Sequence, residues 1–177
     1  PPIGHEQYKG DYQCSWQPAP IENSILEEAK KVTNIILDNL NGAGIYGVEF
    51  FVKESVLIFS ELSPRPHDTG MVTLLSQNMN EFELHLRALL DLPIPEINLI
   101  SPAATRVILS EDEYKKFAFY GVHDALKIQN SKILIFGKSY AKKGRRMGVA
   151  LATGADIEQA RLRADQCASN INIFSSD

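Results

Sequence analysis

The residues best suited to chemistry lie in one short segment, which reads Ser-Glu-Leu-Ser-Pro-Arg-Pro-His-Asp-Thr-Gly-Met over residues 60–71. Its two prolines fix φ and remove two backbone donors, so the segment is predicted to be a stiff turn. The turn follows an apolar strand and presents four side chains that can bind charged groups: Glu61, Arg65, His67 and Asp68. A stiff turn that carries these groups favours a binding role over an incidental surface turn.

Two carboxylates interrupt apolar runs over 45–53 and 56–62, which the sequence predicts to be the arms of an antiparallel hairpin. A three-residue loop would place Glu49 directly opposite Glu61, with their Cβ atoms about 5 Å apart. A two-residue turn over 54–55 would place the two acids on opposite faces of the hairpin. Facing carboxylates repel each other unless a cation or a shared proton lies between them, and oxygen ligands of this kind suit Mg²⁺. The alternative is two acids on a solvated face.

A second charged group is basic. Five of the 18 lysine and arginine residues fall within the nine positions 138–146, between two predicted strands, so this segment is predicted to be a hairpin loop. Guanidinium groups bind phosphate oxygens bidentately, and a lysine adds a point charge. Lys138, Arg145 and Arg146 could therefore bind a phosphorylated metabolite. A solvated β-turn and a nucleic-acid patch are the alternatives, and the remaining histidines form no cluster that predicts a metal site.

Composition narrows the class of protein. The 177 residues are 44% hydrophobic and 23% charged with a net charge of −4, which predicts a globular fold of one large or two small domains. The acidic balance argues against nucleic-acid binding through overall charge. There is no signal-peptide pattern, and no apolar run approaches the roughly 18 residues of a membrane span. Cys14 and Cys167 match no metal or redox spacing, which predicts reduced thiols in a cytoplasmic protein.

The hydrophobic periodicity predicts an α+β fold with mostly antiparallel strands. A helix of about 16 residues is predicted from a capping box at Ser24, and another is predicted to be capped by Asn80. Three prolines over 92–102 predict a boundary between domains at 1–100 and 101–177. Beyond it, strands are predicted at 104–109, 117–120, 132–137, 147–152 and 172–174, and helices at 123–128 and 156–169. The chain lacks an initiator methionine, so we expect it to be part of a longer protein.

Three motifs resemble a known family. They are Gly-Val-Glu-Phe-Phe over 47–51, the turn extended to Val-Thr over 60–73, and Gly-Arg-Arg-Met-Gly-Val-Ala-Leu-Ala over 144–152. Together they closely resemble the formate-dependent phosphoribosylglycinamide formyltransferases, which are ATP-grasp enzymes of purine biosynthesis. The likeness runs along essentially the whole chain but covers only about the C-terminal half of the family's length. It implies the second lobe of an ATP-grasp domain followed by a small β-rich C-terminal domain.

The resemblance also implies a reaction, in which ATP, formate and glycinamide ribonucleotide give formylglycinamide ribonucleotide, ADP and phosphate through formyl phosphate. It implies a homodimer that uses Mg²⁺. From the composition we expect a cytoplasmic protein that binds neither nucleic acid nor membranes. Residues that match the family motifs are expected to take the family's roles: Glu49 and Glu61 as Mg²⁺ ligands, and Asp68, Lys138, Arg145 and Arg146 as contacts of glycinamide ribonucleotide. We add Arg65 as a catalytic stabiliser of the phosphoryl group in transfer.

Several expectations qualify this assignment. The first lobe of the ATP clamp would be missing, so the isolated chain is expected to be inactive. Many ATP-grasp enzymes have asparagine two residues after the second acid, where this chain has Ser63, which leaves open whether one or two metal ions bind. The carboxyaminoimidazole ribonucleotide synthetases share the Glu-x-x-Pro-Arg-Pro-His turn but typically continue with Asn-Ser-Gly-His rather than Asp-Thr-Gly-Met. They are the alternative enzyme, and a non-catalytic module that binds phosphorylated metabolites is the alternative of another class.

Overall fold

The computed structural model describes residues 1–176 and consists of antiparallel strands with a few helices. The strands are β1 (Gly4–Tyr8), β2 (Asp11–Gln17), β3 (Gly47–Lys53), β4 (Val56–Ser63), β5 (Ala103–Leu109), β6 (Phe117–Tyr120), β7 (Ser131–Ile135), β8 (Arg146–Thr153) and β9 (Asn172–Ser175). The helices are α1 (Asn23–Leu37), α2 (Thr73–Ser76), α3 (Glu81–Leu89), α4 (Val122–Ala125) and α5 (Ile157–Ser169), and a short 3₁₀ helix, Asp68–Val72, precedes α2.

The main sheet has the order β1-β2-β5-β8-β7, and its two faces carry different helices. Successive side chains of a strand point to opposite faces. On one face, Ala152 of β8 packs with Ala160 of α5, and these small side chains allow the helix to approach the sheet closely. On the other face, Leu151 packs with Met71 of the 3₁₀ helix. The buried Met71 thus fixes the segment that begins at Asp68 on the sheet.

The predicted α+β class and the antiparallel pairing are confirmed, as are the strands beyond residue 102. The helix predicted at 123–128 is shorter, since α4 ends at Ala125. The cap at Asn80 is confirmed, because its side chain accepts hydrogen bonds from the backbone N–H groups of Phe82 and Glu83. The capping box at Ser24 is wrong. Helix α1 begins one residue earlier, so Ser24 lies inside the first turn and the capping residue Glu22 makes no side-chain cap.

The main sheet continues across the predicted domain boundary. Strands β1 and β2 precede it, whereas β5, β7 and β8 follow it, and β2 pairs with β5 from Cys14–Arg106 to Gln17–Ala103. Beyond this pairing, the Gln17 side chain accepts a hydrogen bond from buried Ser76. The division at residue 100 therefore stays a prediction, and any such domains share one sheet. Among the described residues, no helix is long and apolar enough to cross a membrane.

Both thiols are expected to be protected in the native state. Cys14 and Cys167 are free and buried, with exposed fractions of 3% and 0%. Burial raises the pKa of each thiol, which lowers the concentration of the reactive thiolate. In differential alkylation followed by peptide mass spectrometry, we expect both cysteines to be labelled only after unfolding in guanidinium. Rapid native labelling of either one would contradict its position in the core.

Candidate functional site

The hairpin of β3 and β4 closes with a tight two-residue turn. Glu54 and Ser55 form the turn with positive φ values of 51° and 63°, and Lys53 pairs with Val56 on either side. Positive φ at both central residues is the requirement of a type I′ turn, whose twist matches that of the flanking strands. The three-residue loop considered for this hairpin is therefore wrong. With regular pairing, the shorter turn would separate the two acids onto opposite faces.

A β-bulge brings the acids face to face despite the shorter turn. Phe50 pairs with Phe59, whereas Glu49 pairs with Glu61, so Ser60 is an extra residue in β4. Because the side-chain period of a strand is two residues, one inserted residue moves every residue beyond it to the other face. The bulge thus cancels the effect of the turn. The predicted placement of Glu49 opposite Glu61 is confirmed, although the reason for it differs.

His67 lies between the two carboxylates. Its Nδ1 is 3.3 Å from Oε1 of Glu49, and its Nε2 is 3.3 Å from Oε1 of Glu61. One ligand atom from each of the three residues lies within 4.8 Å of the others. Glu49 is 7% exposed, whereas the Glu61 side chain is 52% exposed. The three side chains, which we call the acidic cluster, therefore combine one buried acid, one solvent-facing acid and an imidazole.

The acidic cluster fits a divalent cation. Oε1 of Glu49 is buried and has no hydrogen-bond partner, while Oε2 accepts only a long bond of 3.4 Å from the Gln7 side chain. A second imidazole, that of His5, lies 3.7 Å from the same carboxylate. A buried carboxylate oxygen without a partner is costly, and a bound cation relieves that cost. The donor set could therefore hold a cation between Glu49 and Glu61.

The stiff turn around Pro64 and Pro66, here called the proline-rich turn, separates two cavities. Arg65, His67 and Thr69 line a cleft of about 1770 Å³ that also contains Glu49. Asp68 instead lines a second cavity of about 480 Å³. His67 has an extended backbone, so neighbouring side chains point to opposite sides of the chain. One stiff segment thus presents groups to the acidic cluster on one side and to the second cavity on the other.

The second cavity, here called the basic pocket, collects the predicted substrate-binding residues. It is lined by Asp68, Met71, Phe82, Phe136, Lys138, Arg145 and Arg146. The guanidinium of Arg146 forms a salt bridge with the Asp68 carboxylate, 78 positions away in the chain. The predicted approach of the basic loop to Asp68 is therefore confirmed. Their roles in substrate binding stay predictions.

Contacts within its own loop fix Arg145. Its Nη1 donates to the backbone carbonyl of Tyr140 at 2.9 Å, and its guanidinium lies 4.2 Å from the centroid of the Tyr140 ring. Lys138 lies 5.9 Å from the ring centroid of Phe136. Stacking on aromatic faces orients a cation without neutralising it. The pocket therefore holds two cations, Lys138 and Arg145, whose positive charge is available to an anion.

Glu81 was not recognised as a site residue from the sequence, where it looks like an ordinary acid in the first turn of α3. It is 4% exposed, and its Oε2 accepts a hydrogen bond of 2.9 Å from the backbone N–H of His67. A Cβ on Gly70 would overlap the same oxygen, so a larger residue there would displace the Glu81 carboxylate. The backbone N–H of Glu81 donates to Thr73. Glu81 thus ties the proline-rich turn to α3.

Burial raises the pKa of Glu81 to about 7, and the nearby Asp68 carboxylate adds to this effect. The hydrogen bond from His67 and the charge of Arg65 oppose it. Between pH 4.5, which is the ordinary pKa, and about pH 7, the folded state therefore keeps this proton, whereas the unfolded chain has lost it. The free energy of unfolding must fall as the pH rises through this window, by at most about 3 kcal/mol.

The Glu81→Gln variant is expected to lose this pH dependence, because an amide does not titrate. We would measure unfolding free energies in metal-free buffer at pH 5 and pH 8, with Glu83→Gln, at a partly exposed glutamate on the same helix, as the control. The wild type and the control should lose stability between pH 5 and pH 8 relative to Glu81→Gln. An identical change in all three proteins would show that Glu81 does not retain its proton.

Arg65 does not reach the acidic cluster in this structure. Its side chain is exposed, and its Nη1 donates to the carbonyl of Pro66 at 2.9 Å. It lines the same large cleft as His67 and Glu49, so it lies on the side of the turn that faces the acidic cluster. Its role as a catalytic group stays a prediction.

Two family models match the two parts of this chain. The model of the ATP-grasp domain matches residues 1–82, and the model described as PurT, C-terminal, matches residues 103–171. Formate-dependent phosphoribosylglycinamide formyltransferase from Prochlorococcus marinus (strain MIT 9515) is 64% identical over 174 residues, which cover 98% of this chain and 45% of that protein. The solved structure of glycinamide-RNase-transformylase T from Mycobacterium tuberculosis is 34% identical with a TM-score of 0.78, over 96% of this chain and 44% of that one.

A second class of enzyme shares the fold. N5-carboxyaminoimidazole synthase from Aspergillus clavatus, solved in complex with ADP and 5-aminoimidazole ribonucleotide, has a TM-score of 0.81 over 94% of this chain and 46% of that one. Its identity is only 26%, so the sequence favours the transformylase over this alternative. The chain spans about 45% of the length of the curated relatives it matches. Along almost its whole length it corresponds to the C-terminal part of the formate-dependent phosphoribosylglycinamide formyltransferases, and its residues 1–82 match the ATP-grasp domain.

Proposed function

We propose that the full-length protein containing this chain uses ATP and formate to convert glycinamide ribonucleotide into formylglycinamide ribonucleotide. The observation that carries the proposal is the proline-rich turn, with the acidic cluster on one side and the basic pocket on the other. Phosphoryl transfer from ATP needs a site that holds a metal ion, and a phosphorylated acceptor needs a positively charged site beside it. The names of the relatives supply the substrates, and the geometry of this chain fits them.

The acidic cluster is suited to the first transfer. A formate oxygen attacks the γ-phosphorus of ATP, the bond to ADP breaks, and formyl phosphate forms. A Mg²⁺ ion held by Glu49 and Glu61 would neutralise phosphate charge and orient the oxygens, which is the usual contribution of the metal in phosphoryl transfer. Arg65 enters the same cleft from the turn and would stabilise the phosphoryl group in transfer. Pro64 and Pro66 limit the movement of the turn and so keep these groups in place.

The basic pocket is suited to the ribonucleotide. Lys138 and Arg145 would bind its 5′-phosphate, with Arg146 as a further donor, and Asp68 would accept a hydrogen bond from the glycyl amine. Asp68 and Arg146 pair with each other in this structure, and each keeps further hydrogen-bonding positions that the ribonucleotide can use. The amine then attacks the formyl carbon, phosphate leaves, and the amine loses one proton. Placing the two reactants on either side of one turn makes this step intramolecular in effect.

Homodimer formation is part of the same proposal. Apolar side chains are more than half exposed on the β3–β4 hairpin and after α3, including Phe51, Val56, Leu90 and Ile100. Exposed apolar groups in such number favour further contacts, either with the rest of the longer protein or with a second copy. Action in the cytoplasm also stays a prediction.

The test is turnover by the full-length protein. With ATP, formate and glycinamide ribonucleotide we expect ADP, phosphate and the formylated ribonucleotide in equal amounts. With ATP, bicarbonate and 5-aminoimidazole ribonucleotide, the substrates of the alternative enzyme, we expect no product. The reverse pattern would establish the alternative, and binding of the ribonucleotide without turnover of either mixture would favour a non-catalytic module.

A further inference from the structure

We propose that His67 is a third ligand of the cation held by Glu49 and Glu61, and that its imidazole shifts the preference of this site from Mg²⁺ towards Mn²⁺. This inference rests on the proposed function, because both assign a cation to the two carboxylates. It goes further by adding a nitrogen donor, which changes the class of metal that the site selects.

The distances in the acidic cluster match those between neighbouring ligands of one metal ion. In octahedral coordination with bonds of 2.0–2.1 Å, adjacent ligand atoms lie about 3 Å apart. Nε2 of His67 is 3.3 Å from Oε1 of Glu61, and one ligand atom from each of Glu49, Glu61 and His67 lies within 4.8 Å of the other two. Oε1 of Glu49 is buried, has no hydrogen-bond partner and is directed at His67. A cation among these atoms would satisfy this oxygen.

The His67 ring is oriented as metal-bound histidines are. Such a ring usually forms a hydrogen bond through the nitrogen that does not bind the metal. Nδ1 of His67 lies 3.0 Å from the hydroxyl oxygen of Thr69, which leaves Nε2 next to Glu61 for the cation. The backbone of His67 is fixed by its hydrogen bond to Glu81, and Gly70 packs against that same carboxylate. The imidazole is therefore held in place before any cation binds.

The chemistry of the donor set gives the selectivity. Mg²⁺ prefers oxygen ligands, whereas imidazole binds first-row transition ions more readily. Mn²⁺ accepts carboxylates as Mg²⁺ does, so it gains from the imidazole without losing the oxygens. An imidazolium that simply bridges the two carboxylates would produce the same distances. The two explanations differ in whether a bound metal contacts nitrogen.

The experiment uses the full-length protein and Mn²⁺ alone as the probe. Free Mn²⁺ is followed by electron paramagnetic resonance, Mg²⁺ affinity is obtained by competition, and electron spin echo modulation reports ¹⁴N bound to Mn²⁺. The variants are His67→Asn, His67→Gln and Glu49→Gln. His123→Asn, at an exposed histidine on α4, is the matched control, and His5→Asn tests the other imidazole near Glu49. Circular dichroism confirms that each variant is folded.

We expect both His67 variants to weaken Mn²⁺ binding by about tenfold or more and Mg²⁺ binding by less than about twofold. The ¹⁴N modulation should be present in the wild type, His5→Asn and His123→Asn, and absent from both His67 variants. The inference is wrong if Mn²⁺ and Mg²⁺ weaken equally, if neither weakens, or if the modulation is missing from the wild type or survives loss of His67. If Glu49→Gln also leaves Mn²⁺ binding unchanged, the cation site of the proposed function is wrong as well.

Discussion

The Glu49→Gln variant of the full-length protein is expected to lose at least about 100-fold in kcat/KM for ATP-dependent formylation. Glu49 is the buried member of the acidic cluster, and its Oε1 has no hydrogen-bond partner among the described residues. The amide has the same shape but lacks the charge that binds a cation, so phosphate charge in the transition state would no longer be neutralised. The fold should survive, because a neutral group costs less to bury than an unpaired carboxylate.

The matched comparison is with two other glutamates. Glu61→Gln should cost less than Glu49→Gln, because the Glu61 side chain is half exposed and water can replace one of its oxygens. Glu83→Gln should stay within about twofold of the wild type, since its carboxylate pairs with Arg87 of the same helix, away from both cavities. If the folded Glu49→Gln variant had wild-type kinetics, the acidic cluster would not be the site that holds the metal.

The acidic cluster shows what the sequence could and could not predict. The hairpin follows from two apolar runs with almost nothing between them, and a carboxylate within such a run already indicates a partner. The register does not follow, because the turn length and the bulge each shift it by one residue, and only their sum places Glu49 opposite Glu61. Ser60, the extra residue, has nothing in its type that marks a bulge.

Helix caps and buried acids are likewise only partly predictable from the sequence. Ser24 and Asn80 both match capping patterns, but only Asn80 caps a helix, because a cap depends on where the chain leaves the helical path. Glu81 is adjacent to that cap and resembles a solvent-facing acid that favours the helix dipole. Glu81 is buried because the proline-rich turn packs against α3, and local residue spacing does not reveal this contact between two separate segments.

The basic pocket was easier to predict, because it depends on one dense cluster of charge between two recognisable strands. The cluster also contains Lys142 and Lys143, which are exposed and line neither cavity. Charge density alone therefore located the loop but could not separate the binding residues from their neighbours. The family motif identified Lys138, Arg145 and Arg146 as the expected binding residues, and in the structure all three line one pocket with Asp68.

The Arg145→Ala variant is expected to raise the KM for glycinamide ribonucleotide by about 10- to 150-fold, the equivalent of one charged hydrogen bond of about 1.5–3 kcal/mol. Arg145 is suited to this role because its guanidinium stacks on Tyr140 and makes no salt bridge within residues 1–176, so its charge is available to the 5′-phosphate. The KM for ATP should barely change, since Arg145 lines the basic pocket and the acidic cluster lies across the proline-rich turn.

Lys143→Ala supplies the control for this variant, because it removes one positive charge from the same loop outside the pocket. If simple electrostatic attraction governed binding, both variants would weaken ribonucleotide binding similarly. Added salt would then abolish the effect of either variant relative to the wild type. If a directed contact governs it, Arg145→Ala alone should raise the KM, and the gap should persist in salt. Damage to ATP binding with an unchanged KM for the ribonucleotide would instead place the nucleotide in the basic pocket and reverse the assignment of the two cavities.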